Sequence, residues 1–235
     1  MLEAGLWGVV AGSSLLLGAA AGFYLRLGKH LIAAITGFGA GVLISAVAFE
    51  LTEEAYAVGG ADAVAAGLAA GAIVFFAGDR WIESMDKGDG EGTSKAIEFG
   101  AALDAVPESA AIGLSVLSAG TVAPALVGAV FLSNVPEALS STGQSMKMGH
   151  GRGRVLARWA GIVLLAGVSA ALGYVLLDGA SENLIAFTQA FAGGAVLCML
   201  TDTMIPTAFE EYDRRPEVGL TTVLGFAVAF LLSTM

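Results

Sequence analysis

The sequence predicts an all-α protein that is embedded in a membrane, and three observations support this. Hydrophobic residues make up 56% of the chain and charged residues only 14%, whereas soluble domains average roughly 45–50% and 25%. The mean hydropathy is +0.79. Apolar runs such as residues 161–166 lack the alternation of apolar and polar residues that marks a membrane β-strand. Helices are therefore the predicted spanning elements.

Eight helical spans are predicted when the chain is read in windows of about 20 residues, the length needed to cross a bilayer. They cover residues 4–25, 31–51, 60–78, 97–118, 121–143, 155–177, 184–205 and 217–235. The first is interpreted as a retained helix, because its uncharged run from Leu6 to Leu25 is longer than a signal-peptide core. No linker divides the chain, so residues 1–235 are predicted to form a single transmembrane domain.

The basic residues predict the orientation of the chain. All eleven lie in or beside alternate connections: Arg26, Lys29; Arg80, Lys87, Lys95; Lys147, Arg152, Arg154, Arg158; Arg214, Arg215. The positive-inside rule puts these connections in the cytoplasm and both termini outside, with the cell (inner) membrane as the expected location. Since topology accounts for the basic residues, no nucleic-acid partner is expected. The longest polar connection, 79–95, is interpreted as a flexible loop.

An internal repeat is indicated by two similar segments in spans two and seven. Residues 38–44 (FGAGVLI) align with residues 191–197 (FAGGAVL), and the segments continue to acidic residues at Glu50 and Asp202. The two spans would cross in opposite directions, which predicts an inverted 3+2+3 repeat of the kind found in secondary transporters. The alternative is chance similarity between helices rich in small residues.

Spans four and five carry a duplicated pattern of polar residues. Residues 104–108 read D-A-V-P-E and residues 133–137 read S-N-V-P-E. A charge at the centre of a bilayer costs about 2.5–3.5 kcal/mol on insertion scales, so Asp104, Glu108 and Glu137 must be neutralised by protons or by a divalent cation. The alternative is that protonated acids join the helices by hydrogen bonds. These residues are the predicted functional centre.

Helical spacing predicts which polar residues share a face. Asp104 and Glu108 are four residues apart, with Ser115 about two turns further on. A single stripe on span five contains Ser133, Glu137, Ser140, Ser141 and Gln144, and Asn134 lies beside it. Pro107 and Pro136 each free a backbone carbonyl, which is tolerated at this depth only where protein or a water-filled cavity satisfies it.

The two Pro-Glu pairs, the eight predicted spans and the F-x-x-G-V-L run before Glu50 together resemble the Zrt/Irt-like (ZIP) metal transporters over essentially the whole chain. The resemblance implies an intramembrane metal centre on spans four and five. By position its ligands would be Asp104, Glu108, Ser133, Asn134 and Glu137. It implies uptake of a divalent transition metal (Zn, Fe or Mn) into the cytoplasm without an obligate cofactor, and it allows a homodimer.

This chain departs from the family pattern in ways that affect the expected metal. Ala105 stands where the family has Asn, Ser109 and Ala138 stand where it has Gly, and both histidines, His30 and His150, lie outside the predicted spans. An all-oxygen site suits Mn²⁺, Mg²⁺ or Fe²⁺, while the resemblance favours zinc. Glu50 and Asp202 are expected to be either relay positions on the ion path or interfacial residues, and Asp202 is the better relay candidate.

The same acids fit two other function classes. In a proton-linked permease for a small organic solute, the same acids would relay protons. In an intramembrane enzyme, paired acids would act as acid and base. The spans contain no nucleophile elbow, zinc-protease helix or Gly-x-Gly-Asp signature, so the chain is not expected to be an enzyme.

Overall fold

The computed structural model describes residues 1–25, 27–85, 91–211 and 217–233, with the side chains of 91–98, 119, 210 and 211 excepted. The helices are α1 Leu2–Tyr24, α2 Lys29–Ala46, α3 Glu54–Met85, α4 Glu91–Ala119, α5 Pro124–Lys147, α6 Arg152–Leu177, α7 Glu182–Met199, α8 Ile205–Glu211 and α9 Glu217–Ser233. No strand occurs within these ranges. The predicted all-α class is confirmed.

Five helical stretches of the described chain are long and apolar enough to cross a membrane: Leu2–Tyr24, Lys29–Met85, Phe99–Ser118, Arg152–Leu177 and Glu182–Phe209. Glu217–Ser233 is a shorter apolar helix. α5 is outside this group, and it carries the polar stripe noted above. The chain is a membrane-embedded helical protein, and the count of eight spans stays a prediction.

The long stretch Lys29–Met85 contains two of the predicted spans and turns sharply at Gly60. Gly60 has φ 73°, a left-handed conformation that residues with a Cβ rarely adopt. Before the turn, Glu54 contacts Gln189 on α7; after it, Gly67 packs against Phe187 and then Gly71 against Phe191. The chain therefore runs along α7 first in one direction and then in the other.

Two connections are more helical than the sequence suggested. The helix continues past the predicted end of span two through Val47–Glu53, so the turn falls at Gly60 rather than at the acidic pair Glu53 and Glu54. The predicted flexible loop 79–95 was wrong over most of its length, because α3 continues to Met85 and α4 begins at Glu91. Of the basic residues used for orientation, Arg26, Lys87, Arg214 and Arg215 lie outside the described residues.

Two π-helical segments interrupt the α-helices at corresponding places. Val47–Glu53 follows α2 and Leu200–Met204 follows α7. A π segment widens the turn and leaves backbone groups to be satisfied from elsewhere. Here the buried amide of Gln189 donates to the carbonyl of Glu50 at 2.9 Å and to Glu54 Oε2 at 2.8 Å.

The helices pack into two groups, named here bundle A and bundle B. In bundle A, α1 packs against α5 and α6, and α4 packs against α6; in bundle B, α3 packs against α7, and α2 against α9. Small residues allow the close approach of backbones that stabilises helices in lipid. A Cβ added at Gly41 would overlap the carbonyl oxygen of Thr222, for example, so only glycine fits there.

Candidate functional site

A cavity of about 250 Å³ lies between the two bundles. Bundle A contributes Asp104 and Glu108 from α4 and Ser133, Pro136, Glu137, Ser140, Ser141 and Gln144 from α5. The other wall is formed by Thr36 of α2 together with Met199, Thr203, Met204 and Thr207 from α7, its π segment and α8.

The polar stripe predicted on α5 faces this cavity along its whole length. Ser133 lies at the buried end and Gln144, which is exposed, at the other. At 1.5 Å per residue the stripe extends for about 16 Å. The cavity is therefore an elongated, polar pocket that opens toward the C-terminal end of α5.

At its Ser133 end the cavity is next to a core cluster of apolar side chains, which lie further along the helices that line it and on the π segment after α2. The cluster includes Leu43, Val47, Ile112, Val130 and Val196. All are buried. We name this the closed end of the cavity, and the exposed Gln144 end the open end.

Glu108 is the most deeply buried acid that lines the cavity. Its side chain is 3% exposed, and its Oε2 atom is buried with no hydrogen-bond partner. A buried polar atom without a partner costs about 1–3 kcal/mol, and more when the group is charged. A proton donor or a cation in the cavity could pair with this atom.

Asp104 and Glu137 are half-buried in the same cavity wall, and each interacts electrostatically with Glu108 and with the other. Among the residues whose side chains are described, no three His, Cys, Asp or Glu side chains lie close enough together to hold a metal ion. For Asp104, Glu108 and Glu137 to bind one ion together, their side chains would have to rotate about their χ angles toward a shared position.

Ser133 presents an oxygen to the cavity. Its hydroxyl donates to the carbonyl of Val130 at 3.0 Å, which leaves the oxygen lone pairs free to accept or to coordinate. The four sequence-predicted residues that the structure brings to one cavity are therefore Asp104, Glu108, Ser133 and Glu137.

Asn134 does not reach the cavity. It is 5% exposed, and its Nδ2 donates to the carbonyl of Ala11 on α1 at 3.5 Å. The reason is helical geometry, because Asn134 is one residue past Ser133 and so points about 100° away from the stripe. Ser115, expected on the Asp104 face, is also elsewhere: its hydroxyl donates to Ile112 O at 2.9 Å.

Asp202 also lies outside the cavity lining. It is exposed, and its Oδ2 accepts from Cys198 Sγ at 3.6 Å. Asp79 on α3 interacts electrostatically with both Asp202 and Asp104. Asp79, which the sequence analysis placed in the predicted loop 79–95, is thus within electrostatic range of both Asp104 and Asp202.

Sequence reasoning missed the wall that bundle B contributes. Met199, Thr203 and Thr207 are spaced four residues apart, so they share one helix face and could have been found by periodicity. The sequence analysis instead assigned a role to the charged residue Asp202, which lies on the neighbouring face of the same helix.

No protein-family model matches the chain, and no curated protein matches it.

Proposed function

We propose that this protein transports a divalent transition-metal ion, Zn²⁺, Fe²⁺ or Mn²⁺, across the membrane into the cytoplasm. The observation that carries the proposal is the unpartnered Oε2 of Glu108 in a cavity that two further carboxyls line. Retaining three acids at this depth is costly unless they have a positively charged partner. Asp104, Glu108 and Glu137 supply the charge, and Ser133 supplies a neutral oxygen.

The proposed architecture has eight spans in an inverted 3+2+3 repeat, and matched close contacts support it. When residues 38–44 are aligned with 191–197, four close contacts between helix backbones fall into two equivalent pairs. The contact of Gly41 with Thr222 is equivalent to that of Gly194 with Leu68. The contact of Phe38 with Gly225 is equivalent to that of Phe191 with Gly71. In each, a Cβ on the glycine would overlap the partner's carbonyl oxygen. The two π segments also begin at equivalent positions, Val47 and Leu200.

The orientation with both termini outside makes the cavity open to the cytoplasm. Its open end lies toward Gln144, one turn before Lys147 and the basic connection to α6. The closed end then faces outward. On this view the present arrangement is the inward-open state of an alternating-access cycle.

Two packed bundles with the cavity between them supply the moving parts for that cycle. Movement of bundle A against bundle B would separate the apolar cluster at the closed end and bring together the walls near Gln144. Such rocking around a central site is the general mechanism of transporters with inverted repeats. The Pro-Glu pairs on α4 and α5 support a protein similar to the ZIP transporters, with the cell membrane as its place of action.

Radiometal uptake into proteoliposomes tests the proposal. We expect wild-type protein to accumulate ⁶⁵Zn²⁺, ⁵⁵Fe²⁺ or ⁵⁴Mn²⁺, and Glu108→Gln with Glu137→Gln to reduce the rate at least about 100-fold, because neutral amides cannot balance a divalent charge. Glu182→Gln, at the exposed start of α7, is the control and should transport normally. Uptake that persists in the double variant would contradict the proposal and favour a proton-linked permease for an organic solute.

A further inference from the structure

The wall of the cavity that bundle B contributes contains two methionine side chains. Met199 and Met204 both line the cavity, on the α7 side, opposite Glu108 and Glu137. Thioether sulfur is neutral and polarisable, and it prefers soft or borderline cations, whereas Mg²⁺ and Ca²⁺ take oxygen ligands. A cavity with both donor types can distinguish cations that an all-oxygen cavity would accept alike.

We propose that Met199 and Met204 are specificity-determining residues, which make the cavity prefer soft and borderline divalent cations such as Cd²⁺ and Fe²⁺ over Mg²⁺ and Ca²⁺. This inference rests on the proposed function and refines its substrate class. The carboxylates of bundle A provide the charge for any divalent ion, and the thioethers of bundle B decide which ions are held well.

The π segment gives a structural reason for two methionines at this spacing. In an α-helix, residues five apart point about 140° away from each other. In a π-helix the hydrogen bonds run from i to i+5, so residues five apart come onto nearly the same face. Leu200–Met204 begins directly after Met199 and ends at Met204. The widened turn therefore lets both methionines line one cavity.

The position of Met204 is defined by its neighbours. A Cβ added at Gly39 of α2 would lie 3.0 Å from Met204 Cε and 3.3 Å from Ser133 Cα. The methylthio end of Met204 thus lies where α2 meets α5, beside the predicted ligand Ser133. Met199 is 5% exposed, with its remaining surface turned to the cavity.

Cys198 does not provide the soft ligand. It precedes Met199 on α7 but does not line the cavity, and its Sγ contacts Asp202 instead. Met199 and Met204 are the sulfur-containing residues that line this cavity within the described part of the chain.

The test compares ions in proteoliposomes that contain wild-type protein or Met199→Leu with Met204→Leu. Leucine has nearly the volume of methionine, so packing is retained while sulfur is removed. We expect the ratio of ¹⁰⁹Cd²⁺ to ⁵⁴Mn²⁺ uptake to fall at least about 10-fold, because Cd²⁺ uptake is lost much more than Mn²⁺ uptake, and we expect stronger competition by Mg²⁺. Met146→Leu, on α5 outside the cavity lining, is the matched control.

X-ray absorption at the cadmium edge identifies the atoms bound to Cd²⁺. Its result would not depend on Met199 and Met204 if these side chains only filled space. Wild-type protein loaded with Cd²⁺ should show a sulfur shell, and the double variant only oxygen. A wild-type spectrum without sulfur would overturn the inference, and so would an unchanged ratio of Cd²⁺ to Mn²⁺ uptake or an equal loss of both ions. If Glu108→Gln still abolishes metal uptake in those cases, the proposed transport function stands. If Glu108→Gln transports metal at the wild-type rate, both the transport proposal and this inference are wrong.

Discussion

Ser133 and Asn134 are adjacent in the sequence and have different roles in the structure. Ser133 lines the cavity, while the Asn134 amide donates to Ala11 O and joins α5 to α1 within bundle A. Both are buried. A polar residue in a membrane helix is thus either part of the site or part of the packing, and the difference is one helical position.

Alanine substitutions should separate these two roles. Asn134→Ala removes an interhelical hydrogen bond and should lower the free energy of unfolding by about 0.6–1.5 kcal/mol, with the KM for metal uptake unchanged. Ser133→Ala removes a cavity oxygen and should raise KM several-fold with little loss of stability. Unfolding in mixed micelles and uptake in proteoliposomes measure the two effects. A raised KM in Asn134→Ala would instead return Asn134 to the set of ligands.

At the scale of elements, glycine determines which helices form pairs. Gly71 of α3 lies against the carbonyl of Phe191 on α7, and Gly225 of α9 lies against that of Phe38 on α2. These contacts hold α3 to α7 and α2 to α9, the two pairs that make up bundle B. A methyl group added at Gly71 or Gly225 would be sterically unfavourable, because it would overlap backbone atoms that cannot rotate away.

Single alanine substitutions test this packing. Gly71→Ala and Gly225→Ala should each lower the free energy of unfolding by about 1–3 kcal/mol, because overpacking forces the backbones apart. Gly161→Ala is the control: a Cβ there meets nothing within 4 Å, so the higher helix propensity of alanine should leave stability equal or slightly increased. Thermal unfolding of detergent-solubilised protein measures all three. Equal behaviour of the three variants would mean that the close contacts do not hold bundle B together.

At the scale of the whole molecule, the two bundles meet where α2 packs against α5, α4 against α7 and α3 against α4. α3 touches α4 where Gly78 faces Leu103: a Cβ on Gly78 would lie 3.2 Å from Leu103 Cδ1. α2 touches α5 at Gly39 and Ser133. If transport requires bundle A to move against bundle B, a covalent link across such a contact should stop it.

Thiol cross-linking tests that motion in a Cys198→Ser background. Gly78→Cys with Leu103→Cys joins bundle B to bundle A, and a short bifunctional thiol reagent with a cleavable disulfide should reduce metal uptake at least about 10-fold, reversed by a reductant. Gly5→Cys with Ala171→Cys is the control within bundle A, where the added Cβ would lie 3.5 Å from Ala171 Cβ. Full uptake by the linked Gly78–Leu103 protein would exclude this motion.

Local signals in the sequence predicted much of the helical architecture. The apolar windows fall on helices, and the α5 stripe follows from 3.6-residue periodicity alone, so Ser133, Glu137 and Gln144 were predicted on one face and are found there. The Pro-Glu duplication also located Asp104 and Glu108 correctly in a polar environment. These signals are readable because each depends only on residues within a few turns of one helix.

Which residues lie opposite those helix faces depends on contacts between residues that are far apart in the chain. Composition could not show that Asn134 meets Ala11, that Asp79 lies within electrostatic range of Asp104, or that a π turn brings Met199 and Met204 to one wall. By itself the sequence determined that this chain is a helical membrane protein with buried acids on α4 and α5. Only the tertiary structure decided which groups face those acids, because that depends on how the two bundles pack across the cavity.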